Sequence, residues 1–235
     1  MNIIIPMAGR GSRLRPHTLT IPKPLIPVAG KPIVRHLVED IVRLCEEKVE
    51  HIGFVIGDFG EQVERDLVAV AESLGAKGHI FHQESPEGTA HAIQCAKPLL
   101  EGPVIVGFAD TLFRADFKLD RGKDGIIWVN HVDNPSSFGV VKLDDQGVIT
   151  DNNKKPEEPV SNLAIIGIYF FNQGEQLRDE IQYLLDNDLR DRGEFQITDA
   201  LENMKKSGLK FGTGKVEEWL DCGNKKVTVH TNKRV

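Results

Sequence analysis

The first half of the chain alternates short apolar runs with longer stretches in which apolar residues recur every three or four positions. Apolar runs of about four to eight residues are typical of buried strands, and the longer periodic stretches are typical of amphipathic helices. Strands are predicted over 2–5, 51–57, 79–83 and 103–108. Helices are predicted over 33–45, 61–74 and, after an opening Pro and Gly, within 85–100. This alternation predicts a parallel sheet with right-handed helical crossovers.

The pattern changes in the second half, where strand-like segments follow one another between turn-rich stretches. Strands are predicted over 125–131, 138–143, 163–171, 209–216 and 218–220, and helices near 174–186 and 197–207. The segments 133–135, 144–147 and 152–159 are predicted to be turns. The sequence therefore predicts an α/β fold: a mostly parallel, Rossmann-like central sheet flanked by helices, with a smaller antiparallel subregion. Because no internal repeat or low-complexity linker is visible, 1–235 is predicted to be one domain with halves 1–110 and 111–235.

The segment from Met7 to Pro27 joins the first strand to the first helix. It is far longer than an ordinary strand-to-helix loop of about 2–6 residues. Loops at the carboxyl ends of parallel strands are where such sheets bind ligands. Its glycines leave backbone N–H groups free to face an anion, and four cations lie within fourteen residues of a chain whose net charge is −6: Arg10, Arg13, Arg15 and Lys23. We interpret the segment as a polyphosphate cradle; the alternative, a solvated basic loop, fits this charge density poorly.

Two common phosphate motifs are excluded. The pattern G-x-G-x-x-G fails because Leu14 stands where the third glycine belongs. The Walker pattern fails because no Gly-Lys-Ser/Thr follows the loop. The later run Gly212–Lys215 resembles only a fragment of that pattern, and Val216 follows it in place of a hydroxyl residue. We interpret this fragment as a turn.

Net charge, apolar runs and cysteine spacing narrow the possible partners, compartments and metal sites of the protein. The net charge of −6 disfavours nucleic acid or a membrane surface as the main partner. No signal peptide and no apolar run of the ~20 residues that span a membrane is visible, so the cytoplasm is the expected compartment. The three cysteines, Cys45, Cys95 and Cys222, have no metal-site spacing, and the first two are predicted to be reduced on apolar helix faces. A homo-oligomer is left open.

The long loop resembles the signature of the sugar-1-phosphate nucleotidylyltransferases, roughly G-x-G-[ST]-R-L-x-P-x-T-x-x-x-P-K-x-L-x-P, and most closely their glucose-1-phosphate thymidylyl and uridylyl branches. The matching positions are Gly9, Gly11, Ser12, Arg13, Leu14, Pro16, Thr18, Pro22, Lys23, Leu25 and Pro27. One departure is Ala8, where many members have glycine. The resemblance implies a nucleotide-diphospho-sugar transferase fold, a nucleotide bound by the loop from Ala8 to Ser12, and catalytic roles for Arg13 and Lys23.

The resemblance also implies a nucleobase site and a metal site. In the family, the segment Q-x-x-P-x-G binds the base, and it matches Gln83, Pro86 and Gly88. Taken alone, this segment also fits an ordinary strand–turn–helix joint. Asp110 follows a buried strand, and Asp221 lies in a run similar to the family's W-x-D-x-G. The resemblance makes both aspartates Mg²⁺ ligands; otherwise each fits a turn at the end of a loop.

The sugar side matches less completely. Where the family commonly has Glu-Lys-Pro, this chain has Lys154, Lys155 and Pro156. Lys155 fits the lysine that holds the sugar phosphate, whereas Lys154 cannot accept hydrogen bonds as the family's glutamate does. Gly139 and Ile165 resemble contacts to the sugar. The run 193–199 resembles the family's G-E-x-x-[IL]-T-D, although Thr198 or Asp199 as a helix N-cap explains it equally well.

The implied reaction joins an NTP and a sugar 1-phosphate into an NDP-sugar and pyrophosphate. Arg13 would hold the β- and γ-phosphates, Lys23 would bridge the α-phosphate and the acceptor, and Mg²⁺ would be the cofactor. The attacking phosphate is already an anion, so no catalytic role is given to His17, His82 or His91. The preferred substrates are dTTP or UTP with glucose 1-phosphate. The alternatives are mannose 1-phosphate, an amino-sugar phosphate or phosphocholine as acceptor, and a non-catalytic regulatory subunit that binds nucleotide-sugars.

Overall fold

The computed structural model describes residues 1–9, 22–115, 119, 121–136, 138–154 and 161–221, with the backbone alone for 151–154 and 221. The strands are β1 (Asn2–Pro6), β2 (Pro27–Val28), β3 (Lys31–Pro32), β4 (His51–Ile56), β5 (Lys77–His82), β6 (Val104–Gly107), β7 (Thr111–Arg114), β8 (Gly125–His131), β9 (Gly139–Leu143), β10 (Ile149–Lys154), β11 (Leu163–Phe171), β12 (Phe211–Lys215) and β13 (Glu218–Asp221). The helices are α1 (Ile33–Leu44), α2 (Glu61–Ser73), α3 (Thr89–Cys95), α4 (Gly174–Asp186) and α5 (Ile197–Lys206), with 3-10 turns at Lys23–Leu25 and Lys97–Leu99.

A nine-stranded sheet organises the described part of the chain. Its parallel core has the order β6-β1-β4-β5, and β11 runs antiparallel beside β6. Ile3, Ile4 and Ile5 of β1 are fully buried, as expected for a central parallel strand with both faces covered. Helices α1 and α2 pack on one face, and α3, α4 and α5 pack on the other. The predicted parallel sheet flanked by helices is therefore confirmed.

Strand β11 connects this parallel core to the antiparallel part of the sheet. Its second half pairs with β6, and its first half reaches β9 beyond the end of β6. Along its other edge β11 pairs with β8, where the register shifts between Ile165 and Tyr169. Gly167 lies in this irregular stretch with φ of 86°, a conformation that favours glycine. The predicted antiparallel subregion is confirmed, and it consists of β8, β9, β10 and β11.

Three segments differ from the expectations. The interpretation of Gly212–Lys215 as a turn is wrong, because these residues belong to strand β12, which pairs with the free edge of β8; the strand predicted over 209–216 is confirmed at Phe211–Lys215. Strand β7 was not predicted, and it forms by pairing with β13. Strand β10 covers 152–154, where turn-like composition predicted a turn, because pairing with β9 overrides the local preference. In addition, α3 ends at Cys95 and a 3-10 turn completes the segment that was predicted to run helically.

The two described cysteines are free, and both are only partly buried. Cys45 caps the end of α1, and burial raises the pKa of its thiol to about 11. In the described ranges, no helix combines the length and the apolar character that crossing a membrane requires.

Candidate active site

A cavity of about 400 Å³ opens at the carboxyl ends of β1, β5 and β6. Open α/β sheets bind ligands at this edge. Many of the residues expected to bind a nucleotide line it. The lining residues are Pro6, Met7, Ala8, Gly9, Lys23, Pro24, Gln83, Pro86, Gly88, Thr89, Ala92, Phe108, Ala109, Asp110 and Glu194. The fold thus brings into one cavity the start of the predicted polyphosphate cradle (the phosphate loop), the predicted base segment from Gln83 to Gly88 and one predicted metal ligand, Asp110.

Lys23 enters this cavity from a 3-10 turn stiffened by proline. Pro22 precedes the turn, Pro24 is buried within it, and the N–H of Leu25 closes it onto the carbonyl of Pro22 at 2.9 Å. The Nζ atom of Lys23 lies 3.0 Å from Oδ2 of Asp110. The side chain of Lys23 is 14% exposed and that of Asp110 is 48% exposed. The ammonium is therefore largely enclosed, while the carboxylate remains accessible from the cavity.

Asp110 is held by the irregular stretch of β11. The hydroxyl of Thr111 donates to the buried carbonyl of Ile166 at 2.7 Å, and the N–H of Phe108 donates to the carbonyl of Gly167 at 3.0 Å. These bonds anchor the chain on both sides of Asp110. Burial, together with the nearby Asp110 carboxylate, raises the pKa of Tyr169 in β11.

The second predicted metal ligand comes close to the first through strand pairing. In the register of β7 and β13, Asp221 lies opposite Thr111, the residue after Asp110. Mg²⁺ prefers oxygen ligands and is held by one or two carboxylates together with substrate phosphates. No cluster of three or more His, Cys, Asp or Glu side chains suited to a metal occurs among the described residues. Two neighbouring aspartates beside a phosphate loop fit a magnesium ion of this kind.

The base segment follows β5 and leads into α3. The N–H of Gln83 extends the pairing of β5 by donating to the carbonyl of Ile56 at 2.8 Å. Gly88 precedes α3 with φ of 109° and ψ of 179°, a conformation almost exclusive to glycine. A Cβ atom at Gly88 would lie 2.4 Å from the carbonyl oxygen of Phe195. The segment around Phe195 therefore packs directly against the base segment, and both border the cavity.

Thr89 joins the base segment to the second half of the chain. Its hydroxyl accepts from the N–H of Ile197, the first residue of α5, at 2.9 Å, and donates to the side chain of Gln196 at 3.1 Å. The interpretation of Thr198 or Asp199 as the N-cap of α5 is wrong, because α5 begins before both of them and Gln196 is the capping position. The hydroxyl of Thr89, the first residue of α3, accepts a hydrogen bond from the start of α5 in place of an N-cap side chain. No local pattern could predict this contact.

The described residues of the predicted sugar site lie close together. Lys154 pairs with Gly139 across β10 and β9, and Ala164 pairs with Val140 across β11 and β9. Ile165 therefore lies one position from this contact, in the part of β11 that precedes its pairing with β6. The backbone thus groups Gly139, Lys154 and Ile165.

Four predicted site residues, Gly11, Ser12, Arg13 and Lys155, lie outside the described residues, as do the side chains of Lys154 and Asp221. Conversely, sequence reasoning missed Glu194, Thr89 and Phe108 in the cavity lining. Glu194 lies in the run 193–199, and the resemblance of that run to a family segment was the signal in the sequence that could have identified it. Its position next to Gly88 depends on a contact between segments more than a hundred residues apart.

Comparison with known proteins assigns the family. The family model described as Nucleotidyl transferase matches residues 2–235. The chain therefore belongs to the nucleotidyl transferase family, and the resemblance noted in the sequence is confirmed. A relative from Haloferax volcanii, the low-salt glycan biosynthesis nucleotidyltransferase Agl11, is 33% identical over 243 residues, which cover 100% of this chain and 66% of that protein. Several other curated relatives are matched over only about half of their length.

Solved structures of similar proteins share the fold. A UDP-glucose pyrophosphorylase in complex with UDP-glucose matches with a TM-score of 0.80 and 25% identity, covering 99% of this chain and 97% of that one. A Bacillus anthracis protein described as a glucose-1-phosphate thymidylyltransferase matches with a TM-score of 0.83 and 23% identity, covering 99% and 94% of the two chains. The predicted nucleotide-sugar transferase fold is therefore confirmed.

Proposed function

We propose that the protein is a sugar-1-phosphate nucleotidylyltransferase, which forms an NDP-sugar and pyrophosphate from an NTP and a sugar 1-phosphate. The observation that carries this proposal is the enclosed ammonium of Lys23, 3.0 Å from Asp110 in a cavity that Gly9 and Gln83 also line. A fixed cation between a phosphate loop and a base segment suits a bound triphosphate. Membership of the nucleotidyl transferase family supports the same class of reaction.

The main difficulty of this reaction is the repulsion between two polyanions. An oxygen of the sugar phosphate attacks the α-phosphorus of the NTP, and the bond from that phosphorus to the β-phosphate oxygen breaks, so that pyrophosphate leaves with the electron pair. The attacking oxygen is already anionic, and the protein therefore has to supply position and charge rather than a base. Lys23 bridges the α-phosphate and the acceptor, while Arg13 and Lys155 hold the leaving and the entering phosphates.

The residues at the cavity edge fit a magnesium ion, which Asp110 and Asp221 would hold. When bound, Mg²⁺ would neutralise charge on the phosphates during transfer. Asp110 also orients the ammonium of Lys23 within the cavity.

The preferred substrates are dTTP or UTP with glucose 1-phosphate, in the cytoplasm. The names of the similar solved structures support this choice, because one is a UDP-glucose pyrophosphorylase and another is described as a glucose-1-phosphate thymidylyltransferase. Lys154 stands in place of the family's usual glutamate, so the sugar hydroxyls would lack that hydrogen-bond acceptor, and the experiment therefore varies the acceptor as well as the base.

The decisive experiment is a matrix of dTTP, UTP, GTP, CTP and ATP against glucose, mannose and glucosamine 1-phosphates and phosphocholine. Pyrophosphate release is measured with Mg²⁺ and with EDTA. We expect turnover with at least one sugar 1-phosphate, and loss of that turnover in EDTA. Nucleotide binding without pyrophosphate release for every pair would contradict the proposal and support the non-catalytic regulatory subunit.

The role of Lys23 is tested by Lys23→Ala with Lys31→Ala as a matched control. Each variant removes a lysine that pairs with a carboxylate, at 3.0 Å from Asp110 and at 2.7 Å from Glu39 respectively, but the described cavity lining does not include Lys31. Loss of one preorganised charge lowers turnover by about a hundredfold or more. We expect that loss for Lys23→Ala and a change within about twofold for Lys31→Ala. Equal turnover in the two variants would refute the role of Lys23.

A further inference from the structure

The side-chain amide of Gln83 uses both of its N–H groups inside the protein. Nε2 donates to the main-chain carbonyl of Gly88 at 3.2 Å, and its other N–H faces Nδ1 of His91 at 3.0 Å. A peptide carbonyl can only accept, so the nitrogen of the amide must be the atom that faces Gly88. The reversed amide would place two acceptor oxygens against each other. The carbonyl of Gly88 therefore identifies which end of the amide is the nitrogen, and Nδ1 of His91 is the second acceptor that holds the amide there.

The same geometry determines the tautomer of His91. Its Nδ1 accepts a hydrogen bond from the Gln83 amide, so the ring proton must lie on Nε2. Nε2 lies 3.9 Å from Oε1 of Glu87, and a carboxylate on that side favours a proton there. Glu87 in turn accepts from Arg190 at 2.9 Å, and the Arg190 guanidinium lies 4.0 Å from the centre of the Phe195 ring. Arg190, Glu87, His91 and Gln83 thus form a continuous chain of polar contacts.

These polar contacts leave only the side-chain oxygen of Gln83 available to a ligand. Among the described residues, none donates a hydrogen bond to Oε1 of Gln83, and Gln83 lines the cavity. The structure assigns His91 as a positioning residue, which holds the Gln83 amide so that Oε1 accepts a hydrogen bond from a base with a ring N–H. Uracil and thymine carry such a proton at N3 and guanine carries one at N1, whereas cytosine and adenine present a lone pair there. The inference rests on the proposed function, and it names the class of base that the cavity selects.

His91 does not lie where a catalytic group would have to lie, in the lining of the cavity. It lies on the first turns of α3, which starts after Gly88, and it does not line the described cavity. Its side chain is 22% exposed, so it acts on a ligand through Gln83 alone. Removing it should change the choice of base more than the rate of transfer.

The test measures binding of nucleoside monophosphates by calorimetry, so that it does not depend on turnover. In the wild type, we expect the tightest of UMP, TMP and GMP to bind at least about tenfold more tightly than CMP and AMP, since a mismatched acceptor leaves buried polar groups unpaired. His91→Phe keeps a ring and removes the acceptor, and we expect the preference to fall to about twofold. His91→Asn can place an amide oxygen near the position of Nδ1, and we expect it to restore the preference.

His82→Phe is the matched control. His82 also faces a glutamate, Glu64 at 3.4 Å, and it precedes Gln83 in the chain, but among the described residues the partners of the Gln83 amide are Gly88 and His91 rather than His82. We expect His82→Phe to keep the wild-type preference. In a Gln83→Ala background, His91→Phe should have no further effect on the preference, since coupled residues are not additive. A purely structural role for His91 would give additive effects instead.

A ligand change keeps the test independent of whether any variant folds. N3-methyl-UMP lacks the ring N–H, and we expect it to bind the wild type at least about tenfold more weakly than UMP. The inference is overturned if the two ligands bind equally, if CMP or AMP binds as tightly as the other bases, if no monophosphate binds, or if His91→Phe keeps the preference. Base preference without pyrophosphate release would reject the proposed function and keep this inference. Pyrophosphate release without base preference would reject this inference alone.

Discussion

Replacing Gly88 with alanine should destabilise the protein strongly, because two separate costs coincide at this position. The backbone conformation, φ 109° and ψ 179°, is essentially restricted to glycine, and a side chain there costs about 1–3 kcal/mol. The added Cβ would also lie 2.4 Å from the carbonyl oxygen and 2.7 Å from the nitrogen of Phe195. Because both neighbours are backbone atoms, no side-chain rotation can relieve the contact.

The displacement of Phe195 would weaken the bonds that join the two halves of the chain. Its carbonyl accepts from the N–H of Ala90 at 2.9 Å, and its N–H donates to the carbonyl of Glu87 at 2.8 Å. Each backbone bond contributes about 1 kcal/mol net. Together with the backbone strain, this gives an expected loss of about 3–5 kcal/mol for Gly88→Ala, a large part of the ~5–15 kcal/mol by which most folded proteins are stable.

The assay is urea denaturation followed by circular dichroism, with the free energy of unfolding taken from the midpoint and the slope. Gly147→Ala is the control, since Gly147 has φ of 72° but no atom within 4 Å of an added Cβ. We expect the control to lose about 1–2 kcal/mol, the cost of a left-handed conformation alone. If Gly88→Ala lost no more than this control, the packing of Phe195 against Gly88 would not hold in solution.

Two further predictions concern the supports of the site and the described core. Thr111→Val removes the donor to the buried carbonyl of Ile166 and should lower the free energy of unfolding, measured by urea denaturation, by about 1–3 kcal/mol. Thr111→Ser keeps the hydroxyl and should keep most of that stability. Equal losses in the two variants would contradict a stabilising role for this hydrogen bond. Burial raises the pKa of Cys45 from 9.0 to about 11, so the stability that its neutral thiol contributes is complete below about pH 9 and lost as the pH rises toward about 11. The difference in unfolding free energy between the wild type and Cys45→Ala should therefore shrink over this interval, and a constant difference would count against the burial of the thiol.

The sequence alone determined the elements whose cause is local. The spacing of apolar residues predicted α4 over 174–186 and β11 over 163–171 with the bounds that the structure has. Helical and strand periods depend only on which face of a segment is buried, and this can be read from neighbouring positions. The position of the cavity was also predictable, because a long basic loop with two glycines follows the first parallel strand. The spacing of its residues was sufficient to indicate the family.

Only the tertiary structure decided which distant segments meet. The pairing of β7 with β13 brings Asp221 opposite Thr111, and no periodicity in either four-residue strand indicates its partner. The cap of α5 comes from Thr89, and the conformation of Gly88 is required by Phe195. The same holds for the side-chain amide of Gln83. A glutamine can both donate and accept hydrogen bonds, so the sequence does not decide which of the two a ligand would use. The backbone and histidine neighbours of this amide occupy both donors, and the folded chain therefore determines which of the two functions remains for a ligand.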